Sequence, residues 1–387
     1  MILKNVHVLD VVNEKMIRNI DLSFDDGIIN DIGNLSGNDE DYTYEDCYVT
    51  PGLIDCHTHI FMEGHADTIG SMNAMTTTDF IVTAISNLEK HLKSGVTTIR
   101  DVGGVNYYDL ELKKQLHNGN IIGPDLFAAG KIVTMTGGHG HFIGREADGQ
   151  TEVRKAVREQ LKAGADLIKV ISSGGVLTPG VDVNAYQFNI DELKAAVEEA
   201  HKAGKKICTH CHSTQGIKNS VIAGIDSVEH ATLLDKEGAE MMAETQTYMV
   251  PTLSAVENIV KKGIEGGIPE YAVKKGKEVY RRHIESFKLA MDYDIPIAMG
   301  TDAGTPLNYH GKSSGEILLM IDNGMSVMEA LKTSTINGAC LIGIEETHGS
   351  IEVGKYADCV IYKENPLEMV ETILNPLQVI KKGEMIL

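Results

Sequence analysis

The first fifty residues alternate apolar and polar positions in short runs, ILKNVHVLD, IRNIDLSF and IINDIG, separated by Gly, Asn and Asp. Alternation at period two with turn residues between the runs predicts a small antiparallel sheet. The same texture returns near the other end, in GSIEVGKYADCVIY and VIKKGEMIL. Residues 1–50 and 345–387 are therefore expected to build one small β-sandwich domain together.

Between them, over 51–344, the period changes. Apolar residues recur at helical spacing in DFIVTAISNLEKHLKSG, TEVRKAVREQLKAG, IDELKAAVEEAHKAG and SVMEALKTSTINGACLIG, and each run closes on a glycine. Eight short apolar segments accompany the helices: GLIDCHTH, VTTIRDV, DLFAAG, LIKVISS, KICTHCH, SVEHA, YMVPTL and IAMGTDA. Eight strands alternating with helices predict an α/β fold of the (β/α)₈ TIM-like barrel type, with its chemistry at the C-terminal ends of the strands.

Composition narrows the function. The 387 residues, 42% of them hydrophobic, can bury a large core. Fifty-five acidic against 35 basic residues give a net charge of −20 with no Lys- or Arg-rich run. That balance opposes nucleic acid and anionic membrane surfaces and leaves a small-molecule substrate as the expected partner. MILKNVHVLD has no secretory pattern, and no apolar run is long enough to span a bilayer. Six scattered cysteines (Cys47, Cys56, Cys208, Cys211, Cys340, Cys359) suit reduced thiols, so a cytoplasmic location is expected.

The strand ends carry the chemistry. In GLIDCHTH, His57 and His59 share one face while Cys56 and Thr58 take the other. Later strands end in Lys169, in His210 and His212, in His230 and in Asp302. One such histidine is more often structural than not, but five strands ending this way converge on one rim. Imidazole and carboxylate suit zinc or a similar divalent ion at about 2.0–2.2 Å. A lysine cannot ligate while protonated, with an ordinary pKa of about 10.4. Desolvated and neutral, Lys169 can add CO₂ and become a carbamate able to bridge two ions. His91 and His201 are assigned to helix surfaces, Cys208 and Cys211 to packing, and Asp101 to structural hydrogen bonding.

PGLIDCHTH, GTDAG and GSIEVGKYADCVIY resemble the amidohydrolase superfamily, metal hydrolases with a (β/α)₈ barrel and a small β-sandwich built from both termini, over essentially the whole chain. TTIRDVGG, TGGHGH, GADLIKVISSGGV, THCHSTQGI and GIDSVEHATLLD are similar to the branch holding imidazolonepropionase-like proteins and prolidase-like dipeptidases and carboxypeptidases. The resemblance implies two divalent ions, zinc foremost, with His57 and His59 on the more buried ion and His210 and His230 on the second. Lys169 is similar in place to the carboxylated bridging lysine, and Asp302 to the catalytic aspartate that touches metal and water. His139, His141, Tyr186 and His212 resemble positions that hold a substrate carboxylate or carbonyl.

The implied reaction is cleavage of a peptide or amide bond next to a free carboxylate, in Xaa-Pro or other dipeptides or in N-acyl amino acids, by a metal-bridged hydroxide. The alternative is a cyclic amide, urea or aromatic N-acyl substrate; Lys169 points away from imidazolonepropionase itself. Loops such as FMEGHADTIGSMNAM and the one after PTLS would then shape the pocket, their methionines forming an adaptable wall. A barrel reduced to binding predicts gaps in the ligand set, and the sequence has none. Homo-oligomers are common among such barrels, although no interface is marked in this sequence.

Overall fold

The computed structural model describes residues 1–33, 35, 41–44 and 46–386. Positions 34, 36–40, 45 and 387, which the expected small domain includes, lie outside the described residues.

Both termini enter one mixed sheet. Ile2–Asp10, Lys15–Asp25 and Ile28–Gly33 pair antiparallel in sequence order. Tyr48–Pro51 runs parallel to the first of these and antiparallel to Cys359–Tyr362, which continues into Gln378–Lys381 and Glu384–Met385. The described strands of both termini join in one eight-stranded sheet. Register shifts between Leu3 and Val8, with Asn5 and Asn19 at φ 52° and 55°, bend the first hairpin, and Leu3, Val6, Leu22 and Ile361 are buried beneath it.

The central region is parallel. Leu53–Thr58, Val96–Asp101 and Asp125–Ala128 form one sheet. Leu167–Ile171, Lys206–Cys211, Ser227–His230 and Tyr248–Val250 form a second, extended at one edge by Ile132–Thr134 and Gly144–Glu146. Helices sit between successive strands and start where local chemistry dictates. Thr76 with Asp79, and Asn189 with Glu192, close capping boxes that satisfy the first backbone N–H groups of Thr77–Lys93 and Ile190–Lys202. Among the described residues no helix is long and apolar enough to cross a membrane.

The eighth expected strand, IAMGTDA, departs from the expectation. It makes only isolated bridges, Ile297 to Met249 and Ala303 to Thr58, with backbone bonds from Cys56 N to Met299 O and from Asp302 N to His57 O, both 2.8 Å. Pro296 lacks an N–H and Asp302 sits at φ 56°, so regular pairing fails. The segment still lies between the 248–250 and 53–58 strands. Gly300 allows that approach, because a Cβ there would stand 2.7 Å from the His57 Cβ and 2.4 Å from Val250.

Candidate metal centre and active site

The C-terminal ends of the parallel strands, with the segment that leads to Asp302, bring His57, His59, Lys169, His210, His212, His230 and Asp302 onto one cavity. Asp302 Oδ1 stands 3.4 Å from His57 Nε2 and 3.3 Å from His59 Nε2. Two sets of ligand atoms each gather within 4.8 Å: His57, His230 and Asp302, and His210, His212 and His230.

The rings are aimed. His57 Nδ1 donates to Glu229 Oε2 at 2.7 Å, His230 Nδ1 meets the Thr252 hydroxyl at 2.6 Å, and His212 Nδ1 meets that of Thr232 at 2.6 Å. Each contact occupies Nδ1 and leaves Nε2 as the free donor, the arrangement metal-binding imidazoles adopt. His210 uses the other nitrogen, with Nε2 3.3 Å from the Gly174 carbonyl. The His59 Nδ1 is buried with no hydrogen-bond partner among the described residues.

Protonation states fit cation binding. Burial, helped by neighbouring cationic groups, holds His210, His212 and His230 well below the ordinary imidazole range, so they are neutral donors. Burial raises the Asp302 carboxyl, but His57 and His59 outweigh it and hold that carboxyl below the usual carboxylate range. Lys169 is 2% exposed and forms no ion pair among the described residues. Imidazoles, one carboxylate and one lysine gathered on one cavity are a donor set that fits divalent metal.

Strain marks the same place. His230, Thr252 and Asp302 all lie in the left-handed region, at φ 69°, 51° and 56°, which non-glycine residues enter at a cost.

The expected substrate contacts divide. His139 and His212 line the cavity; His139 is pinned by Thr178 Oγ1 at 2.7 Å, and burial pushes its pKa down to about 3. His141 and Tyr186 stand outside the lining: both are exposed, with the His141 ring turned to the Gly138 carbonyl and Tyr186 held by a backbone bridge to Ser173. Of the loop expected after Phe61, Met62 alone reaches the lining, while Val256 and Ile259 come from the helix that follows PTLS.

His91 requires a correction. It is fully buried, with Nε2 2.8 Å from His310 Nδ1, because its position turns toward the segment that follows Asp302. His201 is exposed, and all six cysteines are free. Asp101 accepts the backbone N–H of Ile60 at 2.8 Å, a structural contact.

Two residues that sequence reasoning missed stand behind His57. Glu229 is fully buried between His57 and Arg100, whose Nη2 reaches its two oxygens at 2.8 and 2.9 Å, and Ser227 Oγ adds a 2.7 Å bond. Burial pushes Glu229 up, yet Arg100 and His57 bring it down to about 2. The available signal was a charged residue on the inward alternate face of two core strands, in TTIRD and SVEH.

Residues 48–386 match the model of the amidohydrolase family. Ochratoxinase from Aspergillus niger is 29% identical, the match covering 93% of this chain and 80% of that protein. Imidazolonepropionase from Rhizobium rhizogenes is 26% identical over 89% of this chain and 86% of its own. Among solved structures, a Xaa-Pro dipeptidase with bound methionine in the active site superposes with a TM-score of 0.93 at 33% identity, covering 100% of this chain and 99% of that one.

Proposed function

Since the chain belongs to the amidohydrolase family, we propose that it hydrolyses a peptide or amide bond next to a free carboxylate, in dipeptides or N-acyl amino acids, using two zinc ions in a (β/α)₈ setting. The observation that carries this reading is the convergence of His57, His59, Lys169, His210, His230 and Asp302 on one cavity, with the His57 and His230 rings fixed through their far nitrogen. Likeness to a Xaa-Pro dipeptidase and to ochratoxinase supports amide chemistry.

Bound zinc would lower the pKa of a water toward about 7 and polarise the scissile carbonyl. His57 and His59 would hold the more buried ion and His210 and His230 the other. Lys169 Nζ would add CO₂, forming an N–C bond and releasing a proton, and the carbamate would offer its oxygens as further metal ligands. The Asp302 carboxylate accepts the proton of the attacking water and passes it to the leaving nitrogen, acting as base and then as acid. His139 and His212, fixed by threonine hydroxyls, orient the substrate's carbonyl or carboxylate.

The test is release of free amino acids from a library of Xaa-Yaa dipeptides and N-acyl amino acids by zinc-loaded protein. Turnover is expected, and Asp302→Asn should lose about a hundredfold or more of it, within the usual range for a general acid–base group, while keeping its zinc. Silence from wild-type protein that carries its metals would move the assignment to cyclic, urea or aromatic amides. Loss of zinc in step with turnover would sink the proton-transfer role of Asp302.

A further inference from the structure

The histidines and Asp302 make the floor of the cavity, and its two sides are apolar. One side is Met62, Ile132 and Ile171, which belong to a small buried cluster of their own. The other is Val176, Val256 and Ile259, part of a second cluster packed on the helix Glu270–Asp292. Among the described residues, acidic and basic side chains reach the lining only at Lys169 and Asp302, both on the floor.

Lys275, beside the second wall, is already used. Lys275 Nζ donates to the carbonyls of Gly175, Thr178 and Val181 at 3.0, 2.8 and 2.6 Å, tying the loop that carries Val176 and Leu177 to the long helix. It is therefore spent on backbone and is not free to pair with an acidic substrate side chain.

We infer that the cavity selects an apolar group, aliphatic or aromatic, on the residue or acyl unit beside the scissile bond, and excludes a charged one. A charged tail laid along either wall would lose its water and find no partner, whereas an apolar tail exchanges water for Val, Ile and Met surface. The inference deepens the amidohydrolase reading above and rests on it for the reaction, although the walls exist whatever bond is cut.

The closing experiment separates the two. Zinc-loaded protein is titrated by calorimetry with hydroxamates, which anchor on zinc whether or not the protein cuts dipeptides. Tails of equal length are compared: n-hexyl and benzyl against one ending in carboxylate and one ending in ammonium. The apolar tails should bind at least about tenfold tighter, the scale on which apolar pockets discriminate. Leu177→Glu, at the half-buried edge of the wall, should narrow the gap for the ammonium tail, with Val256→Glu as the second variant. Equal affinities, tighter binding of a charged tail, no binding of any tail, or an unchanged ranking in both folded variants overturns the inference. Selective hydroxamate binding with no amide turnover overturns the reaction and leaves the apolar specificity standing.

Discussion

At the scale of single residues, the His57–Glu229–Arg100 chain explains why a charged pair survives in the protein's interior. Buried ion pairs contribute little net stability, but removing one partner costs about 3–5 kcal/mol. Glu229→Gln should be destabilised by that amount and should bind zinc roughly 10–100-fold more weakly, as losses behind metal-binding histidines do. Adding Arg100→Met should restore much of the stability in urea unfolding and none of the zinc affinity in a chelator competition. Recovery of both would reduce the pair to packing. Gly103 supplies a second test, since a Cβ there would stand 2.9 Å from the His59 ring. Gly103→Ala is expected to fold and to lose zinc, read by metal analysis beside circular dichroism. His57 and His59 were legible because alternation and strand-end position place them without any tertiary knowledge. Glu229 and His91 were not, because what faces them comes from strands and loops more than a hundred residues away.

Among the elements, the helix Leu253–Lys262 matters most to the site. It carries Val256 and Ile259 and begins just after Thr252, the partner of His230. No side chain of its own caps it; Glu316 does so from another helix, accepting from the backbone N–H of Leu253 at 2.5 Å and of Ser254 at 2.8 Å. Leaving those two buried donors unpaired costs about 1–3 kcal/mol each, so Glu316→Ala should lower stability by roughly 2–6 kcal/mol in chemical denaturation. A change under about 0.5 kcal/mol, ordinary for surface substitutions, would mean that water replaces the cap. Most strands and helices followed from period alone. IAMGTDA did not, because its apolar run predicts a strand while Pro296 and the turn at Asp302 prevent one.

For the whole molecule, the joint between the terminal sheet and the parallel strands is an ionic clamp. Asp125, on the Asp125–Ala128 strand, accepts from Lys381 at 2.7 Å, Lys382 at 2.8 Å and His348 at 3.1 Å, and Lys381 also reaches Asp358 at 2.6 Å. Burial alone would raise the Asp125 carboxyl, but these partners hold it far below the usual range. A depressed carboxyl adds stability that is complete above its unfolded pKa of about 3.9 and is lost as pH falls toward the folded value. Asp125→Asn is therefore expected to cost about 2 kcal/mol at pH 7 and progressively less below about pH 4. Urea midpoints across that range check the sign, and a cost that grows on acidification would contradict it. The partnership of the two termini was visible in their shared alternation. Its register was not, because bulges such as that at Asn5 are set by cross-strand pairing that alternation does not reveal.

That partnership also sets the order in which the chain can mature on the ribosome. Tyr48–Pro51 is made early, but its neighbour Cys359–Tyr362 emerges about three hundred residues later. At roughly 5–20 residues per second, the edge of Tyr48–Pro51 waits on the order of 15–60 s for its partner. Throughout that interval a newborn chain presents one unpaired edge of that strand, a template on which another chain can pair.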